Sequence, residues 1–212
     1  IRQPLSVLQV AARLLMAHGT DAEATRIVET LERNVVRLAE VAGTLERLAR
    51  LTRRPDTAPN EQQVDLSAVV HDVAGQLSDM AVARGVAFDI EPRLPSFAAD
   101  AGRVELVVVN LLANAIKYCD PSKPARAVRG EADWSSTHPR VLIRDNGIGI
   151  PKSKLDLIFE QFVRVHAHLD DELGAQGMGL GLSIVRESME AMGGIVSVES
   201  VVASARPSSR PS

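Results

Sequence analysis

Cysteine occurs once in this chain of 212 residues, at position 119, so no disulfide can form within it. A chain without disulfides suits a reducing compartment. Nothing around Cys119 resembles an activating pair, and it reads as a small residue at a helix end rather than a nucleophile. No run approaches the roughly 20 apolar residues of a membrane span. The first residues also lack the layout of a signal peptide. The expected location is therefore the cytoplasm, with no membrane contact. Charge imbalance is small: 24 Lys and Arg against 27 Asp and Glu leave a net −3. That gives no reason to expect nucleic acid or an anionic surface as a partner. Lysine is scarce, standing only at 117, 123, 152 and 154 while Arg dominates the basic residues. A lysine inside a motif is therefore not background.

What is present is 45% hydrophobic and 24% charged, with a mean hydropathy of +0.02. This is the composition of a soluble globular protein of one or two domains. Residues 1–18 read as an amphipathic helix, and "HGTD" at 18–21 as a turn. From about 22 to 53, Val28, Leu31, Val35, Leu38, Ala42, Leu45 and Ala49 alternate steps of three and four, a heptad seam widened by Val41, Leu48 and Leu51. Two helices cannot bury so wide a stripe, whereas a four-helix bundle of two hairpins can. A homodimer through residues 1–53 is expected. "RPDTAPNEQQ" has two prolines and no periodicity, and 54–63 reads as a linker.

Beyond the linker the texture changes. A helix follows Asp65 or Ser67 as cap, and "VAFDIE" at 86–91 reads as a strand. A helix spans about 101–118, and a polar, irregular stretch runs to about 138. "RVLIRDN" is a strand, "PKSKLDLIFEQF" a short helix and 163–176 irregular; a helix at about 180–192 and a strand at 195–202 follow. Mixed strands and helices without strict alternation imply an α+β sandwich, helices on one face of a mixed sheet. The domain is expected to span 64–202, with a low-complexity, disordered tail at 203–212.

Three stretches carry chemistry. In "NLLANAIKY" (110–118), Asn110, Asn114, Lys117 and Tyr118 share one helical face, while Val108, Leu111, Leu112 and Ala115 form the apolar one. Solvated faces favour Glu, Lys and Arg, and Asn is a mediocre helix former, so two amides one turn apart suggest ligand contact. "DNGIGIP" (145–151) follows a strand, and its glycines allow close approach of a ligand, although Asn-Gly is also a common turn. "GMGLGLSIV" (177–185) opens a helix, where free N–H groups and the dipole favour a phosphate. It lacks the Gly-Lys-Ser/Thr ending of a Walker loop and the context of a dinucleotide-binding βαβ unit.

In this order, and with "FEQFVR" (159–164) between them, these stretches resemble the N, G1, F and G2 boxes of the histidine kinase catalytic domain. That domain shares an ATPase superfamily with gyrase, mismatch-repair ATPases and heat-shock chaperones. The resemblance covers about residues 64–200. "IRQPLSVLQ" is similar to the segment after the phosphoacceptor of the dimerisation hairpin, usually His-Glu-Leu-Arg-x-Pro-Leu, with Ile1, Arg2, Pro4 and Leu5 matching. Pro4 would otherwise cost about 3 kcal/mol inside a helix.

The resemblance implies Mg²⁺–ATP as ligand and a sensor histidine kinase as function, passing phosphate to an Asp of a response regulator receiver domain. It implies that Asn110 and Asn114 hold Mg²⁺ and triphosphate, Lys117 meets phosphate charge and Tyr118 lines the nucleoside side. Asp145 would bind the adenine amino group, with Gly147, Gly149 and Ile150 shaping its pocket. Residues 163–176 would form a lid, anchored by Phe159 and Phe162. Gly177, Gly179, Leu180 and Gly181 would let the lid close over phosphates. The acceptor His would lie two positions before Ile1, so the chain as given would bind ATP without phosphorylating its usual site. Gln3 falls one turn after that position, suited to orienting water for dephosphorylation of the regulator. The rival readings are an ATP-hydrolysing clamp and a catalytically silent dimeric adaptor. The clamp would need a Glu base where Asn110 stands. His166 and His168 fall in the lid segment and read as surface histidines, with contact to nucleotide as the alternative. The family continues past 202 with a further strand that "VVASARPSSRPS" does not resemble.

Overall fold

Asp65 ends one element and starts the next. It closes strand β1 (Glu61–Asp65), and its Oδ1 accepts the N–H groups of Ser67 (2.9 Å) and Ala68 (3.3 Å), capping helix α1 (Leu66–Gln76). Ser67 has another task, since its hydroxyl accepts the Leu94 N–H at 2.8 Å. The computed structural model describes Val28, Leu31 and residues 61–135, 140–166 and 179–202. Val28 and Leu31 are both helical. All the others lie in one compact unit, residues 56–175 with 179–212. The rest of the expected 1–53 hairpin, Gln3, Gly177, His168 and the tail at 203–212 lie outside the described residues.

Along that unit follow α2 (Ser78–Ala83), β2 (Val86–Ile90), β3 (Ser96–Asp100), α3 (Ala101–Lys117), β4 (Arg126–Asp133) and β5 (Arg140–Asp145). A 3₁₀ turn (Lys152–Leu157) and α4 (Gly181–Ala191) complete the described elements. β1 and β3 form an antiparallel pair. β2, β4 and β5 form a second sheet in that order, β2 parallel to β4 and β4 antiparallel to β5. The expected single mixed sheet is thus two sheets.

Helices α1 and α3 cover the inner faces. Val70, Val73, Leu112, Ile116 and Val128 are sealed from solvent at their junction. At roughly 1.5–3 kcal/mol for each fully buried aliphatic side chain, this cluster is the main source of the unit's stability. Asp100 starts α3 by accepting the Arg103 N–H at 3.1 Å. At its other end the Arg84 guanidinium donates to the Lys117 carbonyl at 2.9 Å, placing a cation where the helix dipole favours one.

Three boundaries differ from expectation. The supposed linker gives way at Glu61 to β1, whose Val64 is buried against β3. The irregular stretch before 138 contains β4, in which Val128, Gly130 and Ala132 face inward and charged residues face out. Small inner residues give a weak strand signal but let neighbours close in: a Cβ at Gly130 would lie 3.1 Å from Ile90 Cδ1. Residues 195–202 form no strand, despite their alternation. There the Ile150 N–H is taken by the Ser200 hydroxyl (2.9 Å) rather than by a main-chain carbonyl, so no ladder propagates.

Candidate functional site

The polar stripe of α3 is half-buried along its length, and Leu112, Ala115 and Ile116 hold the opposite face in the core. Asn110 Nδ2 donates to the Leu106 carbonyl at 2.7 Å. Because only the amide nitrogen can donate there, the amide oxygen is fixed facing outward. What it faces is the start of α4. A Cβ on Gly181 would lie 3.0 Å from Asn110 Oδ1 and 3.7 Å from Asn114 Nδ2. The first and third sequence motifs thus meet through a glycine. Leu180 precedes α4 and its carbonyl accepts Ser183 Oγ at 2.9 Å. Among the described residues no side chain caps this helix's first N–H groups.

The second motif docks on the end of α3. The Tyr118 carbonyl accepts the Ile148 N–H at 3.1 Å, and a Cβ on Gly147 would overlap that carbonyl. Only glycine fits. Asp145 is the last residue of β5, opposite Val128 in the register and so on the helix-facing side of the sheet. Its Oδ1 accepts the Gly147 N–H at 2.9 Å, and the residue is exposed at the strand end. Gly149 has a φ of +74°, and its carbonyl is 2.9 Å from His166 Nε2. The His166 ring lies 5.8 Å from that of Tyr118, tilted by 48°.

Phe162 stands at the expected entry to the lid. Its ring is 70% exposed and its φ is +64°, a left-handed conformation costing a non-glycine residue about 1 kcal/mol or more. What holds it is main chain: the Phe162 N–H donates to the Gly179 carbonyl at 2.9 Å, and Gly179 itself sits at φ +72°. Two side-chain contacts run beside this link, Gln161 to Glu187 at 3.1 Å and Arg186 to Glu160 at 3.4 Å.

A bracket of residues that the motifs did not single out joins these pieces. Arg126 donates to the carbonyls of Arg84 (2.5 Å), Pro121 (2.7 Å) and Asp120 (3.1 Å). Lys123 Nζ donates to the Asn146 carbonyl at 2.5 Å. Asp120 is buried and its carboxyl is held below the usual range. The Ser122 hydroxyl at 2.6 Å is the main cause, burial opposes it, and the Ser122 N–H, Lys123 and Arg126 add to it. The scarcity of lysine was the available hint to Lys123.

A family model for the histidine kinase-, DNA gyrase B- and HSP90-like ATPases matches residues 99–209, more than half of the chain. The chain belongs to this family. Among its relatives, hybrid signal transduction histidine kinase D of Dictyostelium discoideum is 29% identical over 206 residues, which is 95% of this chain and 13% of that protein. Of solved structures, full-length ShkA in complex with AMPPNP is 26% identical with a TM-score of 0.57, matching 91% of this chain and 39% of that one. Histidine kinase ThkA in complex with the response regulator protein TrrA matches 91% of this chain and 52% of its own at a TM-score of 0.66 and 19% identity, a likeness of fold. The chain thus spans a small part to about half of these proteins. Within this family it is a histidine kinase ATP-binding catalytic domain of the two-component kind.

For such an ATPase domain the donor set is suited to Mg²⁺. Among the described residues no three His, Cys, Asp or Glu side chains gather as a metal cage. Amide oxygens are hard ligands, and Mg²⁺ commonly takes few protein ligands while phosphates supply the rest. The fixed outward oxygen of Asn110 beside the α4 N-terminus fits that division.

Proposed function

We propose that the protein is the kinase core of a sensor histidine kinase, binding Mg²⁺–ATP across α3, the 145–151 loop and the α4 N-terminus. It would pass the γ-phosphoryl to a His two positions before Ile1, and from there to an Asp of a response regulator. The observation that carries this reading is the seating of Gly181 against Asn110 Oδ1 and Asn114 Nδ2, which puts an amide oxygen, a second amide and helix N–H groups around one place. The fold likeness to ThkA, solved with a response regulator, supports the partner.

When bound, Mg²⁺ neutralises phosphate charge. The chain's part is positioning, the larger share of phosphoryl transfer. Asn110 and Asn114 orient the triphosphate. Lys117 and the first N–H groups of α4 meet its charge. Asp145 accepts the adenine amino group, while Tyr118, Gly147, Gly149 and Ile150 shape the nucleoside side. Phe162, Gly177, Gly179 and Leu180 belong to the segments that close over it. The γ-phosphoryl leaves ADP and joins an imidazole nitrogen, whose proton goes to solvent. Asn110 cannot take a proton from water, which argues against a hydrolytic clamp.

A homodimer through residues 1–53 and a cytoplasmic site of action belong to the same proposal. Among the described residues no helix is long and apolar enough to cross a membrane.

The test is a longer chain of the same protein that begins before the acceptor position. With Mg²⁺–ATP it should gain an acid-labile phosphohistidine. ATP turnover without phosphohistidine would instead favour the hydrolytic clamp, and no nucleotide binding the silent adaptor. In that chain Gln3→Ala should spare autophosphorylation and slow loss of phosphate from the regulator. An equal fall in both would make Gln3 structural.

A further inference from the structure

Asn146 stands between the proposed adenine acceptor, Asp145, and Gly147. It is next in register after the final β4–β5 pair, Val128 with Asp145, so a continuing strand would place its main chain opposite Ala127. The chain turns away instead. Asn146 Oδ1 accepts the Ala127 N–H at 3.1 Å, and Nδ2 donates to the Ala125 carbonyl at 2.8 Å. Its side chain thus does what a peptide group of a continuing strand would do. Its own carbonyl takes Lys123 Nζ. With both edges satisfied, the main chain leaves the sheet within two residues, Gly147 passes over the Tyr118 carbonyl and Ile148 bonds to it.

A carboxamide is the only short side chain that both donates and accepts in this way. Asp would set a carboxylate against the Ala125 carbonyl, Ser would not span both partners, and Gln is one methylene too long. The bracket also reaches backward. Ala125 and Ala127 flank Arg126, whose guanidinium ties Arg84, and Arg84 ties the end of α3. Asn146 therefore links the strand carrying Asp145 to the helix end carrying Lys117 and Tyr118.

We infer that Asn146 is a positioning residue for base selection: its side chain ends β5 at Asp145 and so fixes the carboxylate that reads the base. It touches no ligand and acts through Asp145. This inference rests on the nucleotide reading proposed above. It requires that the phosphate end, built on Asn110, Asn114 and Gly181, be indifferent to Asn146.

The experiment is calorimetry on the 212-residue chain and its Asn146→Ala and Asn146→Asp variants, with Mg²⁺–ATP, Mg²⁺–GTP and Mg²⁺–tripolyphosphate, and thermal melting of each. Wild type should prefer ATP to GTP. Both variants should lose up to about fivefold of that preference, no more than losing the Asp145 contact itself would cost, while tripolyphosphate affinity stays level. Asn146→Asp keeps side-chain size and the Ala127 bond, so it reports even if Asn146→Ala melts early. Unchanged ATP-to-GTP preference in the variants overturns the inference alone. Parallel loss of all three ligands, or of cooperative melting in both variants, also overturns it and makes Asn146 a folding residue. Failure of wild type to bind any of the three overturns the nucleotide reading, and this inference with it.

Discussion

Asp145 shows how a single residue's role depends on where its strand stops. Its carboxylate lies at the exposed end of β5 with one oxygen held by the Gly147 N–H, not in a buried polar site. Removing its charge should therefore cost less than a buried mismatch would. Asp145→Asn is expected to weaken ATP binding by about 1 kcal/mol, roughly fivefold, with little change in stability. Calorimetry giving equal ATP affinities for both proteins would remove Asp145 from adenine binding. Tyr118 and His166 offer the contrast, with ring centroids 5.8 Å apart and His166 also bonded to the Gly149 carbonyl. The tyrosine could be picked out because it continues the α3 stripe. The histidine lay in an aperiodic segment, where nothing in the local pattern said which ring it would approach.

At the scale of elements, α3 meets the start of α4 at Gly181, a position that has no side chain. Adding a methyl at Gly181 would improve helix propensity by up to about 1 kcal/mol, yet it would sit 3.0 Å from Asn110 Oδ1. Asn110 has little room to yield because its nitrogen is tied to the Leu106 carbonyl. Gly181→Ala is therefore expected to melt within a few degrees of wild type while nucleotide affinity falls about tenfold, an effect of around 1.4 kcal/mol. Binding at wild-type strength would show that the Asn110 amide is not held as tightly as its bond suggests. The stripe itself was legible in the sequence, since a period of 3.6 residues is a local property. The strand β4 was not, because Val128, Gly130 and Ala132 owe their burial to partners distant in the chain.

For the whole molecule, Asp120 gives a pH dependence with a definite sign. Its folded carboxyl is held below its ordinary value of 3.8, chiefly by the Ser122 hydroxyl, so folding favours the ionised form. That contribution is present above the unfolded pKa and is lost as pH falls through the lowered folded one. Ser122→Ala should therefore lower the melting temperature at neutral pH. The gap should close as the pH drops below the ordinary carboxylate range. A gap that persists unchanged at low pH would mean that the hydroxyl acts through packing rather than through the charge. The seam from Val28 to Ala49 sets a second expectation at this scale. Light scattering should give a mass near twice 22.8 kDa, and a monomer at high concentration would count against the bundle.

The sequence by itself determined the motifs, their order and the apolar face of α3, because each depends on neighbours within a turn or two of helix or a single strand. A nucleotide was implied only by the resemblance of those motifs, in that order, to the histidine kinase boxes. The tertiary structure decided that two sheets stand where one was expected, that residues 195–202 form no ladder, and that Phe162 is exposed in a strained turn. It also decided which groups hold the site together: Arg84, Arg126, Lys123 and Asn146 each bond to main-chain atoms, and several of those partners lie 19 to 42 residues away. Main-chain carbonyls are the same at every residue. No pattern of side chains marks the one that a distant guanidinium will find, and only the folded chain brings them together.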